Sequence, residues 1–68
     1  MAELFDVTPE ERGAVVAMID RIGVGAAADA LFVGTKTCRR VAEGQRVSRA
    51  VVYLVRHRLI ELANQEGV

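Results

Sequence analysis

The chain has 68 residues, enough for one domain with a thin core. Its formal net charge is zero, and its single cysteine and single histidine exclude a disulfide framework and a zinc finger within one chain. No stretch is apolar and uncharged enough to span a bilayer, and the acidic start, Met1 to Asp6, does not resemble a signal peptide. The lone cysteine fits a reducing, cytoplasmic setting.

Residues 1–7 read as a loose end. Thr8-Pro9-Glu10-Glu11 then announces a helix. Thr8 can cap, Pro9 suits the first helical position, and Glu11 completes a capping box. Val15, Met18, Ile19 and Ile22 recur at helical spacing, and Gly23 ends the run, giving a first helix over 9–22.

A second, alanine-rich helix is expected over 25–32, where Ala27 and Ala28 permit close approach of a neighbour. Val33-Gly34-Thr35 reads as a tight connection, with Leu31 and Val33 tucked under it. A third helix follows over 34–43 and ends at Gly44. Cys38 and Val41 lie three apart and should pack inward, with Cys38 a small buried apolar residue. Thr35, Lys36, Arg39, Arg40 and Glu43 then face outward.

Gln45-Arg46-Val47 reads as a loop. Ser48 is a good N-cap, with Val47 as hydrophobic staple, for a fourth helix over 49–65. Val51, Val52, Val55, Leu59 and Leu62 form its inner face. Arg56, His57 and Arg58 read as exposed, and Tyr53 as a partly buried packing residue. Leu54 and Ile60 lie off the inner face; with Tyr53 and His57 they are the candidate dimer surface. Residues 66–68 read as a second loose end, and no strand alternation is visible. The expected fold is all-α, a compact domain of four to five helices over residues 1–68 with its core at about 8–65.

Charge is strongly segregated. Residues 1–34 carry a net of −4, whereas residues 35–58 carry +6 through Lys36, Arg39, Arg40, Arg46, Arg49, Arg56 and Arg58 against Glu43. A basic segment on an acidic body is the footprint of a polyanion-binding face. Arg39 and Arg40 can bind guanine edges in a bidentate way or clamp phosphates. Thr35 and Lys36, beside free backbone N–H groups, suit phosphate or a base edge. Arg46 and Arg49 suit the neighbouring nucleic-acid backbone.

Residues 26–44, Ala-Ala-Ala-Asp-Ala-Leu-Phe-Val-Gly-Thr-Lys-Thr-Cys-Arg-Arg-Val-Ala-Glu-Gly, resemble the helix-turn-helix of lambda-repressor/Cro-like regulators. Arg46-Val47-Ser48 and the amphipathic helix after it resemble small bacterial and phage members of that group. The resemblance covers roughly residues 9–62 and implies that Gly34, Thr35, Lys36, Arg39, Arg40 and Glu43 face DNA. One departure stands out: Phe32 occupies the turn position that glycine usually holds. Either the turn differs in geometry, or Gly34 takes the bend two residues later.

The expected function is a sequence-specific transcriptional regulator of bacterial or phage type, a dimeric repressor reading an inverted repeat through helix 34–43 in the major groove. Its partners are double-stranded DNA and a second copy of the chain, with no membrane, cofactor or metal, and with no small-molecule ligand evident. The alternative is a protein-interaction module whose same surface binds a polymerase subunit, toxin or other regulator. A third reading is a nonspecific architectural DNA binder. No paired nucleophile and base, glycine-rich phosphate loop or metal-ligand set points to an enzyme.

Overall fold

The structure is a computed structural model that describes residues 4–66. The element order is β1 (Leu4–Phe5), α1 (Pro9–Ile22), α2 (Val24–Leu31), α3 (Thr35–Ala42), β2 (Val47–Ser48) and α4 (Arg49–Glu66). The four helices form a compact, mostly α-helical domain in which α1, α2 and α3 pack on one another and α4 closes against α1 and α2.

The first helix begins as its sequence dictates. Thr8 Oγ1 accepts from the Glu11 amide at 3.1 Å, and Glu11 Oε1 accepts from the Thr8 amide at 2.8 Å. This reciprocal box satisfies two of the amides that a helix start leaves open. At the far end the Gly23 amide donates to Ile19 at 2.8 Å. Gly23 has φ 87° and ψ 158°, a region open essentially to glycine alone, and α2 starts at the next residue. A single residue therefore makes the whole corner between α1 and α2.

The core draws on every helix. Val15 and Met18 come from α1, Ala27, Ala28 and Leu31 from α2, Cys38 and Val41 from α3, and Val52 and Val55 from α4. Val47 of β2 joins them. Ala27 and Ala28 are buried, as close packing of α2 requires. Val51, Leu59 and Leu62 border the core, so the inner face of α4 is the one its sequence periodicity indicates. Ser48 caps α4, accepting from the Val51 amide at 3.3 Å. Val47 and Val52, the staple positions around that cap, are both buried.

Two expectations for the chain ends are corrected. Leu4–Phe5 is not loose: it pairs antiparallel with Val47–Ser48, Leu4 opposite Ser48 and Phe5 opposite Val47. Part of the supposed loop 45–47 is therefore a strand. Phe5 packs on the core, and the Arg49 guanidinium lies 5.1 Å above its ring, so an aromatic anchor brings this end home. At the other end α4 continues through Glu66. The remaining terminal residues, 1–3 and 67–68, lie outside the described residues.

Arg56 and Arg58 are also not simply exposed. Arg56 Nε donates to Glu11 Oε2 at 2.6 Å and Nη2 donates to Oε1 at 3.3 Å, a two-point bridge that ties α4 to the capping box of α1. Tyr53, expected to be partly buried, is 59% exposed. Ile22, at the last position of α1, is 47% exposed although it continues the apolar stripe. No helix among the described residues is long and apolar enough to cross a membrane.

The Arg56 guanidinium and the Thr8 hydrogen bonds hold the Glu11 carboxyl below the usual glutamate range. A depressed carboxyl stabilises the fold above its ordinary pKa, and that contribution is lost as pH falls through the folded value. Glu11→Gln keeps the capping geometry but removes the charge. Urea denaturation should show the variant less stable than the parent at neutral pH, with the gap closing below the ordinary glutamate range. A gap unchanged by acid would contradict a charge-based role for the Glu11–Arg56 bridge.

Candidate functional site

The site centres on α3 and the turn that delivers it. α2 closes with two hydrogen bonds, from the Val33 amide to the Ala28 carbonyl at 3.0 Å and from the Phe32 amide to the Asp29 carbonyl at 3.2 Å. This is a Schellman arrangement, which needs one residue in the left-handed region and usually places glycine there. Phe32 takes that position itself, at φ 59° and ψ 37°. Gly34 is extended, at φ −74°, and caps α3 as its N-terminal neighbour. Of the two outcomes that the sequence left open for Phe32, neither holds: the turn keeps the left-handed residue, and Gly34 does not take the bend.

A left-handed bulky residue costs on the order of 1–2 kcal/mol. Arg58 of α4 supplies the compensation. Its guanidinium carbon lies 4.1 Å from the centroid of the Phe32 ring. Its Nε donates to the Ala30 carbonyl at 2.8 Å, one of the carbonyls that the end of α2 leaves open. Nη1 reaches Glu61 at 3.3 Å, and the Arg58 side chain is only 13% exposed. A cation–ring contact near the surface and a hydrogen bond to a charged donor contribute about 0.5–1 and 1.5–3 kcal/mol. Together these match or exceed the backbone cost. Arg58 thus locks the corner from which α3 departs, although the sequence placed it on an exposed face.

On α3, Cys38 and Val41 are fully buried and fix the helix against the body. Burial also pushes the Cys38 thiol up, away from thiolate chemistry. Thr35, Lys36, Arg39, Arg40 and Glu43 are all exposed on the opposite side, as expected. At 100° per residue, Lys36 and Glu43 lie near the midline of that face, with Arg39 and Arg40 roughly 50° to either side. Among the described residues no hydrogen bond or ion pair engages the side chains of Lys36, Arg39 or Arg40. No side chain caps the N-terminus of α3, whose first turn carries no acid. That end therefore keeps open N–H groups and the positive end of the helix dipole.

The far end of α3 is closed by the same device as α2. The Gln45 amide donates to Arg40 at 2.9 Å, the Gly44 amide donates to Val41 at 3.1 Å, and Gly44 takes φ 79°. The positive φ favours glycine at Gly44; a side chain there would also meet the Arg12 guanidinium at 2.7 Å, a flexible group that can move aside.

The remaining predicted residues are set apart from α3. Arg46 is exposed and sits 3.9 Å from Asp6, a loose surface pair. Arg49 covers Phe5. Of the seven bases in the positive segment, Arg56 and Arg58 serve the fold, so the outward basic set on α3 reduces to Lys36, Arg39 and Arg40, while Arg46 and Arg49 are exposed by the β1–β2 pair. On α4, Tyr53, His57 and Ile60 line an exposed stripe, with His57 Nε2 2.9 Å from Glu61, whereas Leu54 is half-buried. No group of three His, Cys, Asp or Glu able to hold a metal occurs among the described residues.

Arg58→Ala should lower stability by about 1–3 kcal/mol in chemical denaturation. Arg58→Lys should recover only part, because it lacks the planar face and the Nε donor. Phe32→Gly should help more in the Arg58→Ala background than in the parent, because only there is the backbone cost uncompensated. Strict additivity of the two changes would show that Arg58 and Phe32 are not coupled.

The sequence matches no family model, and comparisons with curated proteins and with solved structures return no match.

Proposed function

We propose that this protein is a sequence-specific DNA-binding transcriptional regulator in which α2, the turn at Phe32 and α3 act as a helix-turn-helix. The observation that carries the reading is the outward face of α3. Lys36, Arg39 and Arg40 are exposed without an intrachain partner among the described residues, on a helix held rigidly by Cys38 and Val41. Such a helix, about 10–12 Å across with its side chains, fits a major groove about 12 Å wide. The open N-terminus suits a phosphate, and Arg39 and Arg40 suit guanine edges or the flanking strand. Arg46 and Arg49 extend the basic surface beyond Gly44. The resemblance of residues 26–44 to lambda-repressor/Cro-like regulators points the same way. In this reading the protein acts as a repressor, and two copies read the two halves of an inverted repeat.

Selection of bound sequences from random duplexes tests the reading. It should return an inverted repeat whose half-site centres are about 34 Å apart or a multiple of that. Arg39→Ala and Arg40→Ala should each weaken the selected site by about 1–3 kcal/mol where they touch a base, and relax preference at that position. Lys36→Ala should weaken all duplexes alike and reduce the salt slope by roughly one unit if it holds a phosphate. Absence of binding to any duplex at low salt would overturn the reading in favour of a protein-interaction surface. Equal affinity for selected and random duplexes would overturn its sequence specificity.

A further inference from the structure

An apolar groove runs along the side of α1 that faces the outer half of α4. One stretch, of about 330 Å³, is lined by Ala14, Ala17, Arg21, Ile22, Leu59 and Ala63 among others. A second stretch continues it toward the start of α1, past Glu10 and Ile60, and shares Ala14, Leu59 and Ala63 with the first. Ile22 at one end is 47% exposed and Ile60 at the other 56%.

The lining of α1 is self-complementary. Glu10, Ala14, Ala17 and Arg21 fall on one stripe of the helix at i, i+4, i+7 and i+11. The stripe is symmetric in spacing about the midpoint between Val15 and Val16, with alanine facing alanine and the acid Glu10 matched by the base Arg21. A two-fold axis through that midpoint, with two α1 helices antiparallel, sets Glu10 against Arg21 of the other copy, twice. It sets Ala14 against Ala17, so small side chains meet at the centre where the helix axes approach to about 8 Å. The same operation carries the exposed Ile22 of one copy to the groove end that holds the exposed Ile60 of the other. Charge and apolar surface are thus matched by one symmetry operator, as an isologous interface requires. Arg21 already holds an interaction within its own chain, and its five donors leave capacity for a second acceptor.

We infer that the groove between α1 and α4 is the seat of a two-fold homodimer, with α1 of a second copy as its occupant. This moves the centre of the interface from Tyr53 and His57 to the Glu10–Arg21 stripe and keeps Ile60 at its edge. The assignment deepens the two-fold part of the proposed function, but its geometry does not depend on DNA.

Sedimentation equilibrium of the full chain without DNA tests it. The parent should show the mass of two chains. Glu10→Arg and Arg21→Glu should each weaken association by roughly tenfold or more, because symmetry repeats every charge clash. The double variant should regain most of the parent affinity, a rescue that a merely structural role would not produce. Circular dichroism of each variant confirms that it is folded, and Tyr53→Ala should leave the mass unchanged. A monomer at the highest attainable concentration would overturn the inference, and so would a dimer indifferent to both charge reversals. Arg39→Ala should leave the mass at two chains, so failure of the DNA reading and failure of the dimer are separately visible.

Discussion

The direction in which α3 leaves the body depends on one strained residue and its clamp. Phe32 must be left-handed for the two closing hydrogen bonds of α2 to form and for Val33 to drop onto the core. Nothing in a phenylalanine favours that backbone. The favourable terms come from Arg58, which lies across the ring and reaches past it to the Ala30 carbonyl. α4 therefore does more than cover the core. It sets the corner between α2 and α3, and through that corner the direction in which Lys36, Arg39 and Arg40 are presented.

A second tie works at the start of α1. Glu11 serves its own helix start and the Arg56 guanidinium at once. A domain of this size has little burial to spare, and its largest fully buried side chains are Leu31, Val15, Val41, Val55 and Cys38. The clamps from α4 add directional interactions where apolar area is short. They also draw two arginines out of the basic segment. The surface charge that remains is more sharply centred on α3 than the linear sequence implies.

The four helices were legible because their signals are local. Thr8 to Glu11, the Val15–Met18–Ile19 spacing, and Ser48 before Val51 and Val52 each carry their information within a few residues. The inward Cys38 and Val41, and the outward set opposite them, followed from helical spacing alone. What escaped was non-local. The pairing of Leu4–Phe5 with Val47–Ser48 joins segments more than forty residues apart and is too short for alternation to show. The partners of Arg56 and Arg58 lie on other helices, so a window on α4 reads both as solvated. The resemblance marked Phe32 as a departure, but its resolution required Arg58. A bulky residue at a glycine position signals a backbone cost that the surrounding structure has to offset, and that signal was available.

The central proposal is that the outward face of α3 meets DNA as a rigid unit. Backbone amide chemical shifts of the full chain, followed during titration with a selected duplex, test it most directly. The account predicts perturbations concentrated from Gly34 to Glu43, with smaller ones near Arg46 and Arg49 and little change along the Glu10–Arg21 stripe. Perturbations centred on α1 or on the outer half of α4, with α3 silent, would contradict it.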